Sequence, residues 1–277
     1  MKKNLLLCAV MLGMVACNSQ KKSETEETVP QRTLVLYYSQ TGTTKAVAEE
    51  FQKMLGADIE VISVENDYTG NFQETIDRCM KERETGELPT LDPLKVNLDD
   101  YDVIFLGYPI WFGTYAPPIK TLLKENNLDG KKIVPFCTFG SGGLSTSIQD
   151  LESEQPGADI QPGYGVRAAR VEKAPAEIDR FLKENGYIEG EVDPLPDYSE
   201  QVAVTEEDVK IFDAACGNYQ FPLGTPITVG LRKTPTGTDY LFSVNAKGPD
   251  GSESKSQIYV TIDDEKGAVP EFTQVVR

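Results

Sequence analysis

The sequence predicts an α/β fold: a doubly wound parallel sheet with helices on both faces, followed by a smaller α+β module. Two observations carry this. Between Thr33 and Tyr187, short apolar runs alternate with stretches whose apolar residues recur every three or four positions, as buried parallel strands and covering helices require. After an acidic, proline-bearing break at 189–200, apolar and polar residues alternate, the pattern of antiparallel strands with one wet face.

Leu34-Val35-Leu36-Tyr37-Tyr38 is the first strand, and Val47, Phe51, Met54 and Leu55 mark the helix after it. The second strand spans Asp58 to Ser63. Its helix carries Phe72, Ile76, Cys79 and Met80, spaced to fill one face, so Cys79 and Met80 read as core. The third strand is Val103 to Gly107, and Pro117 and Pro118 open a helix bearing Ile119, Leu122 and Leu123. Lys132 to Thr138 is the fourth strand. The glycine-rich Gly140–Gly143 follows, then a helix with Leu144, Ile148 and Leu151. A fifth strand falls within Asp159 to Arg167, and a helix over Ala174–Asn185, with Ile178, Phe181 and Leu182 on one face, closes the set.

The second module opens with Thr205-Glu206-Glu207-Asp208, which has the form of a capping box, and a helix through Val209, Phe212 and Cys216 stops at Gly217. Alternating runs at Ile227–Leu231, Tyr240–Val244 and Ile258–Ile262, with a last strand near Phe272, predict a four-stranded meander turning at Pro235-Thr236-Gly237. In outline this resembles cystatin-like α+β modules. Lys247 to Ser252 reads as a mobile turn.

At the other end, Lys2 and Lys3, the short apolar run Leu5–Val15 and Ala16 before Cys17 read as an export signal, too short to span a bilayer. Met14-Val15-Ala16-Cys17 resembles the bacterial lipobox. That resemblance implies cleavage before Cys17, lipidation of Cys17 with palmitate-type acyl chains, and a protein anchored to the cell envelope outside the cytoplasm; an ordinary cleaved signal with a chance cysteine is the alternative. Asn18 and the acidic residues Glu24 to Glu27 suit the outer membrane, on its periplasmic or surface face. The chain divides into a signal peptide at 1–16, a polar tether at 17–31, an α/β domain at 32–188, a linker at 189–200 and the α+β module at 201–277.

The formal charge of −17 over 277 residues excludes a nucleic-acid surface, and loss of Lys2 and Lys3 with the leader takes it to −19. There is no histidine, which removes His-based triads and His-ligated metal sites. Chemistry then falls to a cofactor. Once Cys8 has left and Cys17 is acylated, Cys79, Cys137 and Cys216 remain. Each lies in an apolar pattern, so they read as buried structural thiols rather than a disulfide framework.

Three strand–helix loops carry the candidate chemistry. Ser39-Gln40-Thr41-Gly42-Thr43-Thr44 combines a helix start with hydroxyl donors and a glycine, which suits a phosphate, although an ordinary N-cap and turn has the same composition. Tyr108-Pro109-Ile110-Trp111-Phe112-Gly113-Thr114-Tyr115 holds the single tryptophan. It suits either a planar ring or a hydrophobic plug over the sheet end. Thr138-Phe139-Gly140-Ser141-Gly142-Gly143 is a polar loop beside the other two, or a plain helix entry. All three fall at the carboxyl end of one sheet, where open α/β folds bind ligands.

In that order, the three segments resemble the phosphate, isoalloxazine and flavin-edge loops of the flavodoxin-like FMN-binding family, from about Thr33 to Tyr187. The resemblance implies a flavodoxin-like sheet of five parallel strands in the order 2-1-3-4-5, without the long-chain insertion. It also implies FMN as cofactor. Ser39, Gln40, Thr41, Gly42, Thr43 and Thr44 would surround the phosphate; Pro109, Ile110, Trp111, Phe112 and Gly113 would line the isoalloxazine; Thr138, Phe139, Gly140, Ser141, Gly142 and Gly143 would close its other edge, with Tyr115 as a further contact. The function implied is FMN-dependent electron transfer, exchanging electrons with a redox partner protein or a membrane quinone. A flavodoxin-fold ligand-binding or protein-interaction module without redox activity and an NAD(P)H-dependent flavin or quinone reductase are the alternatives.

Overall fold

The computed structural model describes residues 31–69, 71–247, 253–264, 267 and 269–277. The signal peptide, Cys17, most of the tether and the 248–252 part of the turn after Lys247 lie outside the described residues.

The first sheet is built from β1 (Thr33–Tyr37), β2 (Asp58–Val61), β3 (Val103–Trp111), β5 (Lys132–Phe139) and a fifth strand in two pieces, β6 (Asp159–Ile160) and β7 (Tyr164–Arg167). Its order is β2-β1-β3-β5 and then β6 and β7, all parallel, which is the predicted 2-1-3-4-5 arrangement. The fifth strand breaks because Ile133 pairs with Ile160 but Phe136 pairs with Tyr164, so one extra residue must be absorbed. Pro135, which has no N–H to give, lies opposite the break.

Helices cover both faces: α1 (Thr43–Leu55), α2 (Phe72–Thr85), α3 (Pro117–Glu125), α4 (Leu144–Glu154) and α5 (Ala174–Glu184). Val35, Val47, Phe51, Phe105, Phe136, Ile178 and Leu182 form the core on one face, Leu34, Leu36, Ile104, Leu106, Ile119, Leu122 and Leu151 that on the other.

Two expectations are corrected. The third strand runs on to Trp111, so the aromatic segment is largely strand, folded back by β4 (Thr114–Tyr115) into a hairpin that pairs Ile110 with Tyr115 and Trp111 with Thr114. On α2, Cys79 is buried as predicted, but Met80 is 49% exposed and Phe72 76%. The face turned inward carries Thr75 and Cys79, because Thr75 Oγ1 accepts a hydrogen bond from Gln40 Nε2 at 2.8 Å and Arg78, beside them, reaches the carbonyl of Asn66 and lies 3.7 Å over the Tyr68 ring. Polar anchoring rotates this helix away from its apolar stripe.

The second sheet is antiparallel, in the order β12-β11-β10-β9-β8, with α6 (Glu206–Cys216) packed on it. Its strands are β8 (Val202–Ala203), β9 (Thr225–Thr234), β10 (Gly237–Lys247), β11 (Glu253–Asp263) and β12 (Pro270–Val276). The predicted meander is present, with β8 as an added edge strand before the helix. Thr205 and Asp208 form the capping box. A bulge between β9 and β10 turns Ile227 outward, breaking the alternation with Val229, which is 1% exposed. Among the described residues, no helix is long and apolar enough to cross a membrane.

Candidate functional site

The carboxyl ends of β1, β3 and β5 bring the three predicted loops together. At the first, the chain leaves β1 and enters α1 through Gly42, whose φ of 87° is left-handed and falls to glycine at little steric cost. No side chain caps α1, so its first-turn N–H groups and the positive end of its dipole are left for a ligand. The Gly42 N–H donates to Ser39 Oγ at 3.2 Å, and the hydroxyls of Thr41 and Thr43 lie 3.3 Å apart. Gln40 turns the other way, its amide nitrogen donating to the Tyr68 carbonyl and Thr75 Oγ1, both at 2.8 Å. Thr44 is buried, and its hydroxyl is 2.8 Å from that of Thr138, which ties the first loop to the third.

At the second, the β3–β4 hairpin turns through Phe112 (φ 51°) and Gly113 (φ 87°), two successive left-handed residues as a type I′ turn demands. Phe112 is the sole non-glycine with positive φ among the described residues. It is 48% exposed, with the Arg83 guanidinium 5.2 Å from its ring centre. Trp111 is half-buried, edge-on to Tyr38 and Tyr68 at 5.9 and 5.1 Å. The exposed ring at this loop is therefore that of Phe112. Pro109 and Ile110 continue β3, and the Pro109 carbonyl accepts from Ala116 N–H. Burial pushes the Tyr38 hydroxyl well above its ordinary pKa, and that buried oxygen has no hydrogen-bond partner.

At the third, Phe139 is buried and Gly143 opens α4, again with no side-chain cap. A Cβ on Gly143 would strike Ile110 and crowd the Gly113 carbonyl, so the second and third loops touch here. A Cβ on Gly142 would collide with the carbonyl oxygen of Val275, in β12 of the second sheet. The Val275 N–H donates to the Ser141 carbonyl at 2.6 Å, and Arg167 Nε to that of Gly140 at 2.9 Å. Between these loops and β12 lies a cleft of about 490 Å3, lined by Ile110, Phe112, Ser141, Leu144 and Gln274 among others. The participation of Arg167 and β12 has no signal in the sequence, since nothing periodic marks a contact between distant modules.

The donor set fits FMN. An uncapped helix start, hydroxyls and a side-chain-free glycine suit a phosphate without a cation, and the exposed ring and backbone groups of the other loops suit a planar heterocycle with a polar edge. An open α/β sheet with three ligand-ready loops at its switch point defines the class: a nucleotide-cofactor protein of the doubly wound kind.

A family model described as Flavodoxin matches residues 32–178, and the chain belongs to that family. Its cofactor is FMN. Among solved structures, the chain is similar to a Bacteroides eggerthii protein assigned as a flavoprotein (29% identity, covering 54% of this chain and 97% of that one, TM-score 0.47). It is also similar to a Lactobacillus acidophilus flavoprotein in complex with FMN (23%, 55% and 99%, 0.46) and to oxidised flavodoxin 2 from Bacillus cereus (19%, 55% and 99%, 0.36). No curated protein matches this chain.

Proposed function

We propose that this chain is an FMN-dependent electron-transfer protein, held at the cell envelope through Cys17 and exchanging electrons with a redox partner protein or a membrane quinone. The observation that carries the reading is the uncapped start of α1 beside Gly42, joined to the other two loops at one sheet end. FMN, when bound, supplies the redox chemistry. The protein's share is to hold and orient it. Ser39, Thr41, Thr43 and the first turn of α1 take the phosphate; Phe112 and the Pro109–Gly113 backbone meet the ring; the Thr138–Gly143 loop closes its edge. Thr44 acts indirectly, by locking Thr138. The lipobox-like Met14-Val15-Ala16-Cys17 and the charged segment after it support the anchored location.

The test is to purify the chain from Asn18 onward, add FMN, and follow absorption and flavin fluorescence before and after dithionite reduction. Tight binding with quenched fluorescence and reversible bleaching is expected. A folded protein that leaves FMN fluorescence unchanged overturns the reading.

A further inference from the structure

We propose that the edge of the second sheet is part of the flavin site: β12, together with Arg167, holds the Gly140–Gly143 loop in the shape that meets the flavin ring. This rests on the FMN reading above.

β12 is an edge strand, paired with β11 on one side only. An open edge is normally a liability, because its outward N–H and C=O groups seek partners. Here the outward N–H of Val275 donates to the Ser141 carbonyl at 2.6 Å, and the Val275 carbonyl occupies the space a side chain on Gly142 would need. Arg167, at the end of β7, bridges the same junction. Its Nε donates to the Gly140 carbonyl at 2.9 Å and its Nη1 to the Phe272 carbonyl at 2.8 Å, with the guanidinium 4.3 Å from the Phe272 ring centre.

The Ser141 carbonyl is thus held by β12 and that of Gly140 by Arg167, which is itself bonded to β12. In a trans peptide the C=O and the following N–H point in opposite directions, and no peptide among the described residues is cis. The Ser141 N–H therefore faces away from Arg167 and the Gly142 N–H away from β12, two donors fixed before a ligand arrives. Donors set in advance need no ordering on binding, and a flavin's pyrimidine edge offers oxygen and nitrogen acceptors. Gly142 is glycine because β12 passes there. Arg167 and the Val275 backbone are positioning groups that touch the loop rather than the cofactor.

The full chain without its leader supplies the test, in four forms: unaltered, Val275→Pro, Arg167→Ala and Arg167→Lys. Proline removes the outward N–H and is tolerated on an edge strand, but it also replaces the buried Val275 side chain, so exchange over 253–263 shows whether the second sheet keeps its packing. Affinity is measured for FMN and for riboflavin, which lacks the phosphate, and hydrogen exchange is followed over 139–143 and 253–263.

With the second sheet still protected, Val275→Pro and Arg167→Ala are expected to bind both flavins about tenfold more weakly, by the same factor for each, with faster exchange at 139–143 and partial recovery in Arg167→Lys. A loss confined to FMN, or variants that bind both flavins as the unaltered chain does, overturns this inference alone. An unaltered chain that binds neither flavin overturns the FMN reading and this inference with it.

Discussion

Phe112 is held at φ 51°, a conformation that costs a non-glycine residue about 1 kcal/mol or more. Asparagine adopts it readily, so Phe112→Asn is expected to leave the apoprotein as stable or more stable by up to about 1 kcal/mol. The same change should weaken FMN binding, because the exposed ring is lost. Denaturant unfolding and flavin titration on one preparation check both; a variant that loses stability and keeps its affinity would assign the ring to packing. The three described cysteines pose a different question at this scale. All are buried and free, and burial pushes the Cys79 thiol up to about 11 and that of Cys216 up to about 12. A raised folded-state pKa stabilises fully below the unfolded value near 9 and is lost as pH climbs through the folded one. Stability is therefore expected to fall between about pH 9 and pH 12, with iodoacetamide labelling at pH 8 confined to unfolded chain. Rapid labelling of Cys79, Cys137 or Cys216 in the native protein at pH 8 would contradict the burial.

Between elements, the decisive bond is the buried pair Thr44–Thr138, which joins the start of α1 to the end of β5. Thr44→Val strands the Thr138 hydroxyl, and about 1–3 kcal/mol of stability should go with it. Replacing both threonines by valine should cost less than the sum of the single changes, by about 1 kcal/mol in a double-mutant cycle. Strict additivity would mean the hydroxyls find other partners. The pair was half-legible: both threonines stood among the candidate site residues, but nothing in the sequence said they met. Strands and helices were legible wherever apolar spacing was regular, as in β1, β3, α1 and α3. Legibility failed where a polar group or a left-handed turn overruled the spacing. Gln40 and Arg78 turn α2 so that Met80 and Phe72 face outward, and the left-handed pair at Phe112 and Gly113 makes a hairpin of what read as a loop. Arg167 is the clearest omission, since its partners lie at Gly140 and Phe272 in two different sheets.

For the molecule as a whole, electrostatics sets the expectation. The donors proposed for the phosphate are neutral, and the sequence carries a formal charge of −17, or −19 without Lys2 and Lys3. Both disfavour adding negative charge to the flavin, so the second reduction step is expected at a lower potential than in free FMN. Because much of that charge is exposed, raising the ionic strength from about 0.01 to about 1 M, which shortens screening from about 30 to about 3 Å, should move the potential upward. A redox titration that finds the reduced state easier to reach than in free FMN would refute this.

The bond between Ser141 and Val275 also bears on how the chain folds. Its two ends are separated by the linker and nearly all of the second module, so it is among the least local contacts of the fold. Such contacts carry the largest loop-closure entropy and raise the contact order of whatever depends on them. The first sheet can assemble from neighbouring strand–helix units, whereas the Gly140–Gly143 loop must await β12. Refolding followed by circular dichroism should therefore run ahead of refolding followed by flavin capture, and that delay would time the arrival of the last strand.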